Sequence, residues 1–176
     1  MNKLAIALSA ALSLGLAASA NAASADITFT GEILDATCAI GVGTGTSTAV
    51  PLRKVAIADL AGGVTARSTP FDLVAGGTSG GSCPDGDLKM VFSGASINTD
   101  GKLDNTSTGA ADAKNVQLVL AHNGTELDLN TAEITGTVAA GTGTTTYKME
   151  ARYEQKGSTA VTKGAFTTAV KVDVFY

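Results

Sequence analysis

One histidine, two cysteines and several closely spaced aspartates are the residues of this 176-residue chain that could do chemistry. His122 stands directly before Asn123-Gly124, a turn dipeptide, so it reads as an exposed loop residue rather than a general base. A lone imidazole leaves a His-based triad or zinc site without its usual partners. No Gly-x-Ser-x-Gly elbow is present to expose a serine nucleophile. Asp85 with Asp87, and Asp100 with Asp104, have a spacing a carboxylate pair could use in glycoside hydrolysis. Both pairs fall in turn-rich stretches and read as solvated turn residues. Ser96-x-Asn98-x-Asp100-Gly101 has the cadence of a calcium loop but lacks the first Asp and the late Glu, so it reads as an ordinary turn. Asn105-Thr106-Ser107 and Asn123-Gly124-Thr125 match a glycosylation tripeptide, a pattern short enough to arise by chance. The residues therefore predict no enzyme, no metal and no cofactor.

Composition narrows the classes further. Charged residues are 16% of the chain and aromatics 5%, with no Trp, 21 Gly and 3 Pro. At 44% hydrophobic residues the chain can build a core and is not disordered by composition. A net charge of −4 offers no basic patch for phosphates, so nucleic acid is excluded as a partner. The length suits one domain plus a processed or flexible end.

That end is the N-terminus. Lys3 provides a positive start, Leu4 to Leu16 is apolar with small polar interruptions, and a run of small residues follows. This is the anatomy of a Sec signal peptide, too short for a membrane span of about 20 apolar residues. Ala20-Asn21-Ala22 is the best cleavage site, giving residues 1–22 as signal peptide and a start at Ala23; cuts after Ala20 or Ala25 remain open. Export places Cys38 and Cys83 in an oxidising compartment, where two cysteines in a small domain most often pair. Two separate buried thiols are the alternative. Closing a loop of about 46 residues would add about 4 kcal/mol in the chain-entropy model.

The elements that must position these residues are strands. Ile27, Phe29, Gly31 and Ile33 alternate with polar residues, the two-residue period of a strand with one buried face. Ala39–Thr48 reads as a Gly/Thr loop, Ala49–Ile57 and Thr69–Val74 as short strands, and Gly76–Ser82 as a flexible stretch. After the turn at Cys83-Pro84-Asp85-Gly86, Leu88, Met90 and Phe92 alternate. Asn98–Gly109 reads as polar loop. Val116, Leu118 and Leu120 alternate again and return through the Asn123-Gly124 hairpin turn to Leu127 and Leu129. Tyr147, Met149, Ala151 and Tyr153 share a phase, as do Phe166, Val170, Val172, Val174 and Tyr176 in a final strand. A short helix over Ala56–Ala61 is weakly signalled. Many short strands joined by Gly, Thr and Asn turns predict an antiparallel β-sandwich.

A soluble domain normally blunts its terminal strands with charge, proline or bulges, whereas here the first and last strands are apolar on alternate positions. One reading closes them as paired edges of a complete sandwich. The other gives one strand away and leaves another unpaired.

The motifs favour the second reading. The segment from Ile27 to Cys38 resembles the start of type 1-like pilins of the chaperone–usher pathway, with Phe29, Gly31, Ile33, Asp35 and Cys38 at the family's positions. Cys83 lies where the family has its partner cysteine, which implies a disulfide between the first two strands. Leu103 to Gly109 resembles the family's Leu-x-Asn…Gly loop, Asn115 to Leu127 its Val-x-Leu…Gly-x-x-Leu hairpin, and Tyr147 to Tyr153 its Tyr-x-Ala-x-Tyr region. Gly164 and Tyr176 match the spacing of its C-terminal alternating strand. The chain departs in ending on the aromatic itself and in an extension of only six residues before Phe29, as in minor subunits.

The resemblance implies an all-β, incomplete immunoglobulin-like antiparallel sandwich completed by a donated strand. Residues 23–34 would be the N-terminal donor extension and 35–176 the pilin domain. Ile27, Phe29 and Ile33 would fill pockets of a neighbouring subunit, and Gly31 would allow close backbone approach. Gly164, Phe166, Val170, Val172, Val174 and Tyr176 would face the groove and a periplasmic chaperone, with the Tyr176 carboxylate anchored in a basic chaperone cleft. An outer-membrane usher and neighbouring pilins are the further partners, and the expected place is a fimbria on the bacterial surface, reached by Sec export through the periplasm. The expected function is a structural pilus subunit supporting cell adhesion. The alternative is a carbohydrate-binding secreted sandwich or tip adhesin. That reading needs a surface cluster of aromatics, whereas several of the few aromatics fall on core phases.

Overall fold

The structure, a computed structural model, describes residues 38–44, 47–60, 68–77 and 81–176. The expected signal peptide, the domain boundaries expected at 22 and 34, and the expected donor residues Ile27, Phe29, Gly31 and Ile33 all lie outside the described residues.

Among the described residues, nine strands form two antiparallel sheets. In chain order they are β1 (Ile40–Val42), β2 (Thr69–Ala75), β3 (Gly86–Ser93), β4 (Leu103–Asp104), β5 (Val116–His122), β6 (Thr125–Glu126), β7 (Glu133–Val138), β8 (Thr145–Gln155) and β9 (Lys171–Phe175). One sheet runs β1-β2-β8-β5-β4, with β6 added to β5; the other runs β7-β3-β9. The two-residue period explains the packing. Leu88, Met90 and Phe92 point inward from β3, Leu118 and Leu120 from β5, and Tyr147, Met149 and Ala151 from β8, in one core that also holds Ile134 and Val138 of β7. Each such side chain contributes about 1.5–3 kcal/mol on burial.

β5 is buried on both faces. Its outward residues Gln117, Val119 and Ala121 are also covered, Val119 completely. Beside them Lys102 bridges Glu154 at 2.5 Å and Glu126 at 3.3 Å, and Glu126 bridges Arg152 at 2.6 Å. These long side chains lay their stems over apolar surface and keep their charges paired. Asn123 and Gly124, with φ of 49° and 80°, form the two-residue turn joining β5 to β6.

Several expected boundaries shift for local reasons. The expected loop over Ala39–Thr48 contains β1, which pairs Ile40 with Ala75 and Val42 with Leu73. The expected strand over Ala49–Ile57 has no ladder partner among the described residues. Pro51 has no backbone donor, and side chains take others: Ala49 N–H donates to Ser47 Oγ, Arg53 N–H to Thr69 Oγ1 and Ala56 N–H to Asp59 Oδ2. The weak helix is a single 3-10 turn over Ile57–Asp59. The last strand is shorter than its alternation suggests, because Thr167 is held by Asn105 and Thr106 instead of by β3. β7 had no counterpart in the sequence reading.

Cys38 and Cys83 are joined by a disulfide. Cys38 precedes β1, and Cys83 lies between β2 and β3, so the bridge links the lead-in of the first sheet to the lead-in of the second rather than two strand interiors. Cys83 N–H donates to Gly143 O at 2.8 Å, which places the start of β8 at this same end of the sandwich. Phe175, opposite Lys89 near the start of β3, is at the disulfide end. Val116, opposite Gln155, is at the other.

Candidate functional site

β9 pairs with β3 on one side and with no described strand on the other. β1, at the edge of the opposite sheet, has β2 as its only strand neighbour among the described residues. Between these two edges no described strand completes the sandwich. A cleft of about 660 Å³ runs there, walled by Ile40 and Val42, by Thr48, Val50 and Leu52, and by Phe166 to Val170 with Val172. Its floor is core: Leu73, Phe92, Leu103, Leu118, Leu120 and Met149 reach it from both sheets.

The cleft's chemistry is apolar. No charged side chain lines it among the described residues. Tyr153 packs edge-on against Phe166 at 5.1 Å between ring centroids, and burial raises the pKa of its phenol. Thr168, also on the wall, has a buried hydroxyl with no hydrogen-bond partner. A buried donor without a partner is costly, and this one lies in the wall beside the edge of β9 that no described strand pairs. The cleft's described lining holds no carboxylate, imidazole, amine or thiol. It offers apolar pockets and backbone hydrogen bonds, the requirements of a docked strand.

Of the residues expected to face the groove, Phe166, Val170 and Val172 line the cleft. Val174 continues their phase and packs on the core. Tyr176 is about half exposed and lines a different recess. Gly164 lies away from the cleft, against residues 111–113; a Cβ there would come within 2.3 Å of Ala111 O and Ala113 N, so only glycine fits.

The remaining polar candidates hold turns. Asp85 accepts Gly141 N–H, Asp87 accepts the Thr137 hydroxyl at 3.3 Å, and Asp104 binds Lys156 and Asn98. Asn98 Oδ1 accepts the N–H groups of Asp100 and Lys102, making the calcium-like sequence an Asx-type turn. His122 sits at the hairpin turn with Asn123 Nδ2 at 3.1 Å. Asn105, the first residue of a glycosylation-like tripeptide, is instead a hub. Its amide donates to Ala113 O and Ala165 O, and its carbonyl accepts from Ser107 and Thr167. The Leu-x-Asn pattern was the signal for it.

Comparison with known proteins agrees with this geometry. No curated protein matches the sequence. Among solved structures, the fold is similar to a chaperone–usher pilus in a study of rod uncoiling, with a TM-score of 0.59, 19% identity, and coverage of 88% of this chain and 96% of the other. It is similar to the P pilus rod subunit PapA, with a TM-score of 0.59, 17% identity, and coverage of 80% and 99%. A Burkholderia pseudomallei antigen and type I fimbria protein matches with a TM-score of 0.50, 23% identity, and coverage of 80% and 94%. These likenesses establish the immunoglobulin-like fold of pilus subunits. From residue 27 to residue 176 the sequence itself matches the model of the fimbrial protein family, and the chain belongs to that family.

Proposed function

We propose that this fimbrial subunit polymerises by strand exchange. The cleft receives an extended strand from the following subunit, after a periplasmic chaperone has occupied it first. Residues 23–34 of this chain, through Ile27, Phe29, Gly31 and Ile33, are donated in turn to the subunit ahead. An outer-membrane usher is the site of exchange, and the resulting fimbria supports adhesion at the cell surface. The observation that carries the reading is that, among the described residues, β9 has no strand on its outer side and borders a cleft floored by core residues with no charged side chain in its lining. An incomplete sandwich leaves apolar surface and strand edges uncovered, and a docked strand satisfies both.

The test is exchange between a chaperone-bound subunit and a peptide covering residues 23–35. The wild-type peptide should displace the chaperone. The Gly31→Arg peptide should be slowed at least a hundredfold, because a bulky charge would enter an apolar site unpaired. Equal rates for the two peptides would overturn the donor assignment.

A further inference from the structure

Among the described residues, three large hydrophobic side chains are exposed: Ile57 at 42%, Phe175 at 54% and Tyr176 at 54%. They form two patches. Phe175 and Tyr176 border a recess of about 480 Å³ with Asp87, Lys89, Thr135 and Thr137 at the disulfide end of the sandwich. Ile57 projects from the 3-10 turn, whose neighbours Leu60 and Val55 pack with Val116 at the opposite end.

Their charges are complementary. Ile57 follows exposed Arg53 and Lys54, and neither forms an ion pair with another described residue; Asp59 closes the same segment and is turned back to accept Ala56 N–H, which leaves the segment net positive. The recess is edged by Asp87, which forms no ion pair with a described residue, and by Glu133, whose carboxylate holds Lys89 at 3.1 Å. Lys89 also lies 5.5 Å from the centroid of the Phe175 ring, fixing one face of the recess.

We infer that these patches dock onto each other between copies of this chain, the 53–59 segment of one copy seating Ile57 against Phe175 and Tyr176 of another. The contact is heterologous, since the two patches differ and sit at opposite ends of the fold. A contact of that kind repeats into an open filament when its rotation does not close. It does not use the cleft, so it is additional to strand exchange. Apolar contact at the centre supplies affinity, and Arg53 and Lys54 against Asp87 supply register.

The test places a photo-crosslinking benzoylphenylalanine at residue 57. Two samples are irradiated: fimbriae sheared from cells, and purified full-length chain at high concentration. Crosslinked peptides are then identified by mass spectrometry. Links from residue 57 to residues 86–89, 133–137 or 171–176 of a second copy are expected. In an Arg53→Glu, Lys54→Glu background their yield should fall at least fivefold, and Asp87→Arg should restore it. The purified sample reads the contact even where strand exchange fails and no fimbria forms, so the two readings fail separately. Crosslinks only to other surfaces, or none in either sample, would overturn the inference, as would a yield that ignores the charge reversal.

Discussion

The side-chain carbonyl of Asn105 accepts the backbone N–H of Thr167 at 2.9 Å. A residue just past β4 thereby holds the wall of the cleft in place before β9 begins. The same amide reaches Ala165 O, so a side chain reinforces the backbone bonds from Thr106 N–H to Thr167 O and from Ala165 N–H to Ala111 O that fix the segment leading into β9.

Replacing Asn105 should therefore cost far more than a surface substitution. Asn105→Ala removes four hydrogen bonds to backbone groups and should destabilise the fold by about 2–4 kcal/mol. Urea unfolding of the subunit, with the cleft occupied in both variants, measures it. Asn105→Asp keeps the acceptor oxygen and loses the donors, so it should fall between wild type and Ala. A loss under about 0.5 kcal/mol for Asn105→Ala would refute the hub role.

The disulfide should be worth up to about 4 kcal/mol, the chain-entropy value for its loop. Cys38→Ser with Cys83→Ser should lower the unfolding midpoint accordingly. Peptide mapping without reductant should recover Cys38 and Cys83 in one linked fragment, and two free thiols in the mature protein would contradict the bridge.

Acid should weaken the fold through two carboxylates. Burial pushes the Asp104 carboxyl up, but hydrogen bonds from Lys156 and Asn98 and the Lys156 charge outweigh it and hold the pKa below its usual value. Hydrogen bonds from Lys171 and Ser93 likewise lower that of Asp173. A depressed folded-state pKa gives stability that is present above the unfolded value of about 3.9 and is lost as pH falls through the folded value. Unfolding free energy should thus decline below about pH 4. Asp104→Asn should flatten that decline, and an unchanged slope would remove Asp104 from the account.

A charge in the cleft wall should block docking while sparing the sandwich. Val172 is half-buried on β9 and lines the cleft, so Val172→Asp sets an unpaired carboxylate where a donated side chain must pack. Chaperone-complex yield on affinity purification should drop at least tenfold. Deleting residues 171–176 removes β9 entirely and should abolish the complex while export continues. An unaltered complex after either change would count against the cleft as the docking site.

The strand phases were legible because period-two alternation encodes which face is buried. Leu88, Met90 and Phe92, and Tyr147, Met149 and Ala151, all point inward as read. What alternation could not supply was pairing. Residues 49–57 look like a strand, yet Pro51 has no N–H to give and the N–H groups of Ala49, Arg53 and Ala56 donate to side chains. β7 was overlooked because Gly136 breaks its apolar pattern. The structure explains that glycine: a Cβ there would lie 2.4 Å from the Tyr147 hydroxyl oxygen across the core. The cleft was foreshadowed by the family's C-terminal pattern, which named Phe166, Val170 and Val172. It could not show that Tyr176 and Gly164 lie elsewhere, because both depend on how the chain enters and leaves β9.

The position of the disulfide also decides how a subunit would bear tension. A pull arriving from the N-terminal side at Cys38 crosses the sulfur bridge to Cys83 and enters β3, which is paired directly with β9. Residues 39–82 lie off this covalent path. Without the bridge they would be free to pay out roughly 150 Å of slack, at 3.3–3.6 Å per residue, before the load reached β3. With it, force is delivered to the strand beside the cleft, and β1 and β2 need not be sheared from the sheet for the subunit to stay connected.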